Sequence, residues 1–496
     1  MTPTQAWDQL RERSTELTAL EGLMGLVEWD QQVMMPRAGA LARGEQLSLL
    51  SGLHHDKVVD PALSDILGIL SEADLDPIQA ASVRNLGRTV ARSARVPSEL
   101  VRRGARIRAA SFPAWAKAKG DDDFASFQPH LEELVAITKE TIAHIKTDQA
   151  DDYDVLLEAF DPGSTVADLD DMFGRLKPEL GKLLDAIDGV EGPARLEGSW
   201  SVESQKRLHH EVAQALGFSY EQGRLDDSEH PFTVGIAPGD VRITTHIYPE
   251  GLLSGLSGTI HETGHGLYEQ GIPLDLHSTP AGGAASFGLH ESQSRFWENT
   301  IGRSRAFCVW LAPLLKKHVG QDFDVDALYG ASNRVERSLI RVFADEATYN
   351  LHIAVRYDLE RRIFSGELSA ADLPEAWREA YRETLGVCSE DDEHGVLQDV
   401  HWAGGMFAYF PSYTLGNLYA ASLGAKLLEE RPQLWEEVER GEFAPTLAWL
   451  RSNIHHKAHL QDAPAIVEAA AGERDHVKDL VEYLWSRHGA LHGVSR

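Results

Sequence analysis

The chain has 496 residues, of which 77 are acidic and 47 basic, giving a formal net charge of −30 at pH 7. So acidic a surface counts against phosphate-tracking contacts, and hence against nucleic acid as a partner. No basic-then-apolar start and no run of about 18 apolar residues marks an exported or membrane-spanning chain, and two cysteines, Cys308 and Cys388, are too few for a disulfide framework.

These features together lead us to expect a soluble protein of the reducing cytoplasm with no membrane partner. The surplus acid reads as solvation of helix faces, and the scarcity of lysine also allows adaptation to a salty interior. Length would permit about three domains. No linker, low-complexity tract or internal repeat marks a boundary, so residues 1–496 read as one domain with helical sub-lobes.

From Ala6 to Val27, Trp7, Leu10, Leu17, Leu20, Leu23 and Val27 recur at helical spacing, and Pro36 ends or bends the segment. The acidic pair in Glu28-Trp29-Asp30 reads as helix-end solvation. Residues 44–145 continue as helices whose expected job is to wall and cover a groove. Asp161-Pro162-Gly163 predicts a turn, with Ser164 or Thr165 capping a helix through Leu176 and Leu183. The texture changes after His230. Residues 232–236 and 241–247 are β-branched runs around Ala237-Pro238-Gly239-Asp240, which predicts a hairpin able to hold an extended peptide by its main chain.

The next segment carries His261-Glu262-Thr263-Gly264-His265, an H-E-x-x-H arrangement in apolar helical context. Residues four apart share a helix face, so both histidines can point at one ion. Glu262 lies about 100° further round, outside the ligand set but near enough to take a proton from an attacking water. Gly264 and Gly266 each cost about 1 kcal/mol of helix propensity, which predicts a close backbone approach there. A Gly/Ala/Ser-rich loop then leads to His290-Glu291-Ser292-Gln293-Ser294-Arg295. Hydrolytic zinc takes three protein ligands and an open position, and His-His-Glu is an established set, so Glu291 is the expected third ligand with His290 competing. Arg295, four residues on, is placed to steady the carboxylate, and Glu298 lies three beyond it.

Ile340 to Glu346 continues helical spacing, with Leu339, Phe343 and Ala347 on one face and Arg341 off it. The 395–402 segment mixes Gly, Asp, His and Trp, and Tyr413 offers a phenol that could donate to a developing oxyanion. From Leu415 to His488 the chain reads as helical scaffold. The fold class is therefore mainly α, a helical body enclosing a groove, with a small β-hairpin beside the metal-binding helix.

Six segments in order, His230-Pro231-Phe232, Asp240-Val241-Arg242-Ile243-Thr244, HETGH at 261, HESQ at 290, IRVFAD at 340 and GVLQDVHW at 395, resemble the carboxypeptidase Taq family of metallocarboxypeptidases. Gly266 stands where alanine is more usual. The resemblance implies a homodimer that removes single residues from peptide C-termini with broad preference. It implies His261, His265 and Glu291 as metal ligands and Glu262 as base, with Arg341 reading the substrate carboxylate. His230, His401 and Tyr413 would contact substrate or transition state, and Arg242 is the next candidate should Arg341 not read the carboxylate. Zinc is the expected ion, and cobalt or another divalent ion suits the same ligands. Two other readings remain at this point, an oligopeptidase cutting internal bonds at the same centre and a non-catalytic peptide-binding scaffold.

Overall fold

The structure, a computed structural model, describes residues 1–496. Its helices start where the sequence supplies caps. Thr2 and Gln5 form a capping box ahead of α1 (Pro3–Val33), and after α2 (Ala40–Val58) Asp60 and Asp76 cap α3 (Pro61–Ser71) and α4 (Pro77–Arg95). Each of these three caps precedes a proline, whose missing N–H falls among donors a helix start leaves unpaired anyway. Leu10 and Leu17 of α1 meet Leu63, Ile66 and Leu70 of α3 and Leu86 of α4 in a small core of their own.

The chain goes on through α5 (Ser98–Asp121), α6 (Phe124–Ile145), α7 (Asp152–Leu157), α8 (Val166–Ile187) and α9 (Val202–Leu216). The turn and cap expected before α8 are present, with Thr165 accepting from the Asp168 main chain and Asp168 answering. β1 (Gly223–Asp227), β2 (Thr233–Ala237) and β3 (Asp240–Thr245) form a sheet of order β1-β3-β2. The expected hairpin is the antiparallel β2/β3 pair, and β1 adds a parallel strand the sequence did not announce. Its Gly-Arg-Leu-Asp-Asp sequence lacks β-branched residues, so pairing with β3 makes it a strand, not intrinsic preference.

α10 (Leu252–Glu269) carries the H-E-x-x-H segment, and α11 (Phe287–Arg295) runs into a π-helix, Phe296–Gly302. There follow α12 (Arg305–Val319), α13 (Val325–Ser332), α14 (Tyr349–Ser365), α15 (Leu373–Leu385), α16 (Pro411–Glu430) and further helices to His492. Two large cores meet along α10: Leu256 and Leu267 pack with Ile243 and Trp297 in one, while Tyr268 joins Leu289 and Tyr357 in the other. No helix is long and apolar enough to cross a membrane.

Two local expectations need correction. The 340–346 segment is not α-helical. Only a 3-10 turn, Arg341–Phe343, forms, and Phe343 is 66% exposed, so its helical spacing is coincidental. The Arg341 main-chain N–H donates to Gln398 Oε1, and Asp345 takes the main-chain N–H groups of Ala347 and Thr348 just ahead of α14. These side-chain bonds satisfy the backbone in place of a helical ladder. α1 runs to Val33, close to the end expected before Pro36, but Glu28-Trp29-Asp30 does more than solvate a helix end. Trp29 is buried beneath the Arg242 guanidinium at 4.2 Å, and Asp30 pairs with Arg43 at 2.6 Å.

Candidate active site

His261 and His265 occupy successive turns of α10, and close packing brings α11 across them. A Cβ on Gly264 would lie 2.6 Å from both Gln293 O and Ser294 Cα, so only glycine allows this approach. Gly266 likewise makes room for the Phe218 ring. On the far side Gly416 of α16 leaves space for Glu291, whose Cβ would be 2.7 Å from an added methyl group. The sequence reading anticipated the first two contacts and missed Gly416, although a glycine inside a helix is itself a signal of close approach.

The result is a convergence of donors. His265 Nε2 lies 3.3 Å and His261 Nε2 3.7 Å from Glu291 Oε2, and the three ligand atoms lie within 4.8 Å of one another. A tetrahedral ion with bonds of about 2.1 Å holds its ligands about 3.4 Å apart, so this set fits a metal. Arg295 Nε donates to Glu291 Oε1 at 2.7 Å, which leaves Oε2 for the ion. Glu298 Oε2 accepts from His261 Nδ1 at 2.9 Å, fixing the tautomer that presents Nε2. His290 turns elsewhere: its Nε2 pairs with Glu269 Oε1 at 2.8 Å while its ring stacks on His265.

The electrostatics favour a neutral imidazole at His265 and an ionised carboxylate at Glu291, while at His261 burial is outweighed by Glu291 and Glu298, which raise its pKa. Burial pushes His265 down to about 3, reinforced by His290. Burial opposes ionisation of Glu291, but Arg295 and the two histidines outweigh it and hold the carboxyl well below its usual range. For Glu262 burial wins and its pKa is raised, tempered by His261 and by the Thr233 hydroxyl, which donates to Oε2 at 2.7 Å. Thr233 sits on β2, 29 residues before its partner, and nothing in the sequence pointed to the pair.

His261, Glu262, His265 and Glu291 share one cavity of about 740 Å³ with Thr233 and Tyr413. Arg88, Thr89 and Arg92 of α4 form part of its wall, in keeping with the role expected of that region. His230 is exposed and off the lining, although Pro231 and Phe232 line it. Arg242 is also off it, donating to Asp240 from Nε and Nη2 at 2.9 Å each.

Residues 9–488 match the family model described as carboxypeptidase Taq (M32) metallopeptidase. The chain belongs to this M32 family. It is 40% identical to thermostable carboxypeptidase 1 of Thermus thermophilus, covering 99% of this chain and 100% of that protein. With carboxypeptidase 1 of Bacillus subtilis it shares 36% identity over 95% of each chain. The crystal structure of an M32 carboxypeptidase from Deinococcus radiodurans R1 superposes with a TM-score of 0.96 at 34% identity, covering 99% of this chain and 100% of that one. As an M32 member the chain is a metallopeptidase of carboxypeptidase type, which implies a divalent ion and peptide substrates.

A charged cluster lies behind Tyr413, and its members Arg341 and His401 are themselves off the cavity lining. Arg341 donates from Nε and Nη2 to Asp399 Oδ1 at 2.9 and 2.8 Å, and Arg356 Nε donates to Oδ2 at 2.7 Å. Two guanidiniums thus share one carboxylate. Arg341 Nη1 donates to the Tyr349 hydroxyl at 2.9 Å, and its guanidinium lies 5.0 Å from the Tyr413 ring. Arg341 is buried, and its ion pair is with Asp399 and not with Asp345 four residues on. His401 Nε2 and the Tyr413 hydroxyl are 3.2 Å apart, and burial together with Arg341 pushes His401 down to about 3. Asp399 belongs to the 395–402 segment singled out above, but its pairing with two arginines, and Arg356 itself, had no signal in the sequence, since buried charge pairs carry no periodicity.

Proposed function

We propose that this chain is a zinc carboxypeptidase that releases single amino acids from peptide C-termini with broad preference. The observation that carries the reading is one cavity in which His261, His265 and Glu291 converge beside Glu262 while Tyr413 faces in from the Arg341 side. His261, His265 and Glu291 would hold a divalent ion, which would supply a Lewis acid for the scissile carbonyl and the attacking water. Cobalt or another divalent ion suits the same donors. Glu262 takes the proton of that water and passes it to the leaving amine. Tyr413, with neutral His401 behind it, donates to the oxyanion as it develops. The surplus positive charge of Arg341 and Arg356 over Asp399 favours an anion on this side, which is what a free α-carboxylate supplies. Phe160, Phe287 and Tyr409 pack edge-on with centroids 5.3–5.6 Å apart, an apolar lining that supports broad preference. Residues 1–496 act as a single catalytic unit, and the homodimer and cytoplasmic setting expected from the sequence belong to the same proposal.

Incubation with a peptide ladder followed by mass spectrometry tests the reading: products should shorten one residue at a time from the C-terminus, and internal cuts would overturn it. Arg341→Ala should lower kcat/KM for free-acid substrates by roughly 2–5 kcal/mol. Amidated peptides should be poor substrates of the wild type and lose little more in the variant. Equal weakening of both would remove Arg341 as carboxylate reader.

Thr233→Val tests the setting of the base. Glu262 must be ionised to act, so activity rises with pH through its pKa. The threonine hydroxyl bond lowers that pKa, and removing it should move the acid limb of kcat/KM to higher pH. An unmoved limb would separate Thr233 from the base.

A further inference from the structure

The π-helix after α11 is held from an unexpected quarter. Glu298, within it, receives four groups. Ser257 Oγ and Arg303 Nη2 donate to Oε1 at 2.8 and 3.1 Å, and His261 Nδ1 and Arg295 Nη1 approach Oε2 at 2.9 and 3.3 Å. Glu298 is therefore the group that aims His261. A π-helix is rare and holds its geometry only where its surroundings fix it. Its last turn also leaves carbonyls short of main-chain partners.

Those carbonyls are met by the C-terminal end of the chain. Arg487, in a second π-turn at Trp485–Gly489, donates from Nη1 to Asn299 O at 2.6 Å and from Nη2 to Thr300 O at 3.2 Å. Arg303 Nε pins the Asn299 side chain at 2.9 Å. Arg487 is itself fixed by Glu346 Oε1 at 3.1 Å, and Glu346 also takes the Tyr483 hydroxyl at 2.9 Å and pairs with His488 Nε2 at 3.1 Å. Arg487, Glu346 and Glu298 are all buried. The chain thus runs unbroken from C-terminal π-turn to π-helix to the histidine that faces the ion.

We propose that Arg487 is a positioning residue for the metal centre, clamping the end of the π-helix so that Glu298 stands opposite His261. This rests on the ligand reading given above. A lysine at the position keeps the charge but offers no planar fork, so it cannot hold two carbonyls in fixed relation.

Zinc affinity of apo-protein, measured by competition with a chelator, should fall about 10–100-fold in Arg487→Lys, the range usual for outer partners of ligands. Far-UV circular dichroism should stay unchanged. Glu298→Gln should lose a comparable amount, and the double variant no more than Glu298→Gln alone, because Arg487 acts through Glu298. The visible absorption of cobalt-loaded Arg487→Lys should shift, which a merely structural role would not cause. Should that variant not fold, Glu346→Gln, which loosens Arg487 at constant volume, carries the same comparison. Unchanged affinity and spectrum, or losses that add in the double variant, would overturn the proposal. Absence of zinc binding by the wild type would instead refute the ligand set itself.

Discussion

Glu262→Gln is expected to keep its metal and lose turnover by several orders of magnitude, general-base action alone being worth about 10²–10⁴. The replacement preserves the shape, and its amide oxygen can still accept the Thr233 hydroxyl that reaches Oε2 at 2.7 Å. The three ligand atoms belong to other residues, so metal content after desalting should match the wild type. The amide cannot hold the proton, and its loss should appear in kcat more than in KM because a base acts in the transition state. Turnover near the wild-type rate would remove Glu262 from the mechanism. A parallel loss of metal would show instead that its carboxylate supports the ligand set.

His265→Ala should abolish bound metal and activity together. Its Nε2 faces Glu291 at 3.3 Å, while Nδ1 is buried with no partner, so the only polar contacts of the ring are those of the donor cluster. Alanine should therefore leave the surrounding hydrogen bonds in place while reducing three ligands to two, too few for a hydrolytic site. Metal analysis is the measurement, and full occupancy in the variant would sink the assignment. Glu298→Gln makes a useful contrast, because it disturbs the aim of His261 but removes no ligand and should weaken the metal without abolishing it.

Much of the site follows from chemistry local to the chain. A four-residue spacing puts His261 and His265 on one helix face whatever surrounds them, and Glu262 follows from the same pitch. Caps at Thr2, Asp60, Asp76 and Thr165 and the β-branched runs around Pro238 fix elements through bonds a few residues long. Gly264 could be read because a glycine inside a helix costs stability that only a close neighbour offsets. Tertiary structure decided what depends on partners distant in the chain. β1 is a strand because β3 pairs with it, and residues 340–346 leave the helix where Gln398 takes the Arg341 main-chain N–H and Asp345 takes those of Glu336 and Ala347 on either side. Arg341 reads as a surface cation in isolation, yet folding buries it against Asp399, 58 residues on. Thr233 meets Glu262, Gly416 makes room for Glu291, and Arg487 reaches the π-helix only once the chain has closed on itself. Side-chain bonds between buried charges carry no periodicity, so no pattern in the sequence encodes them. They exist because burial makes every unpaired charge costly, and the fold alone determines which partner is near enough to pair.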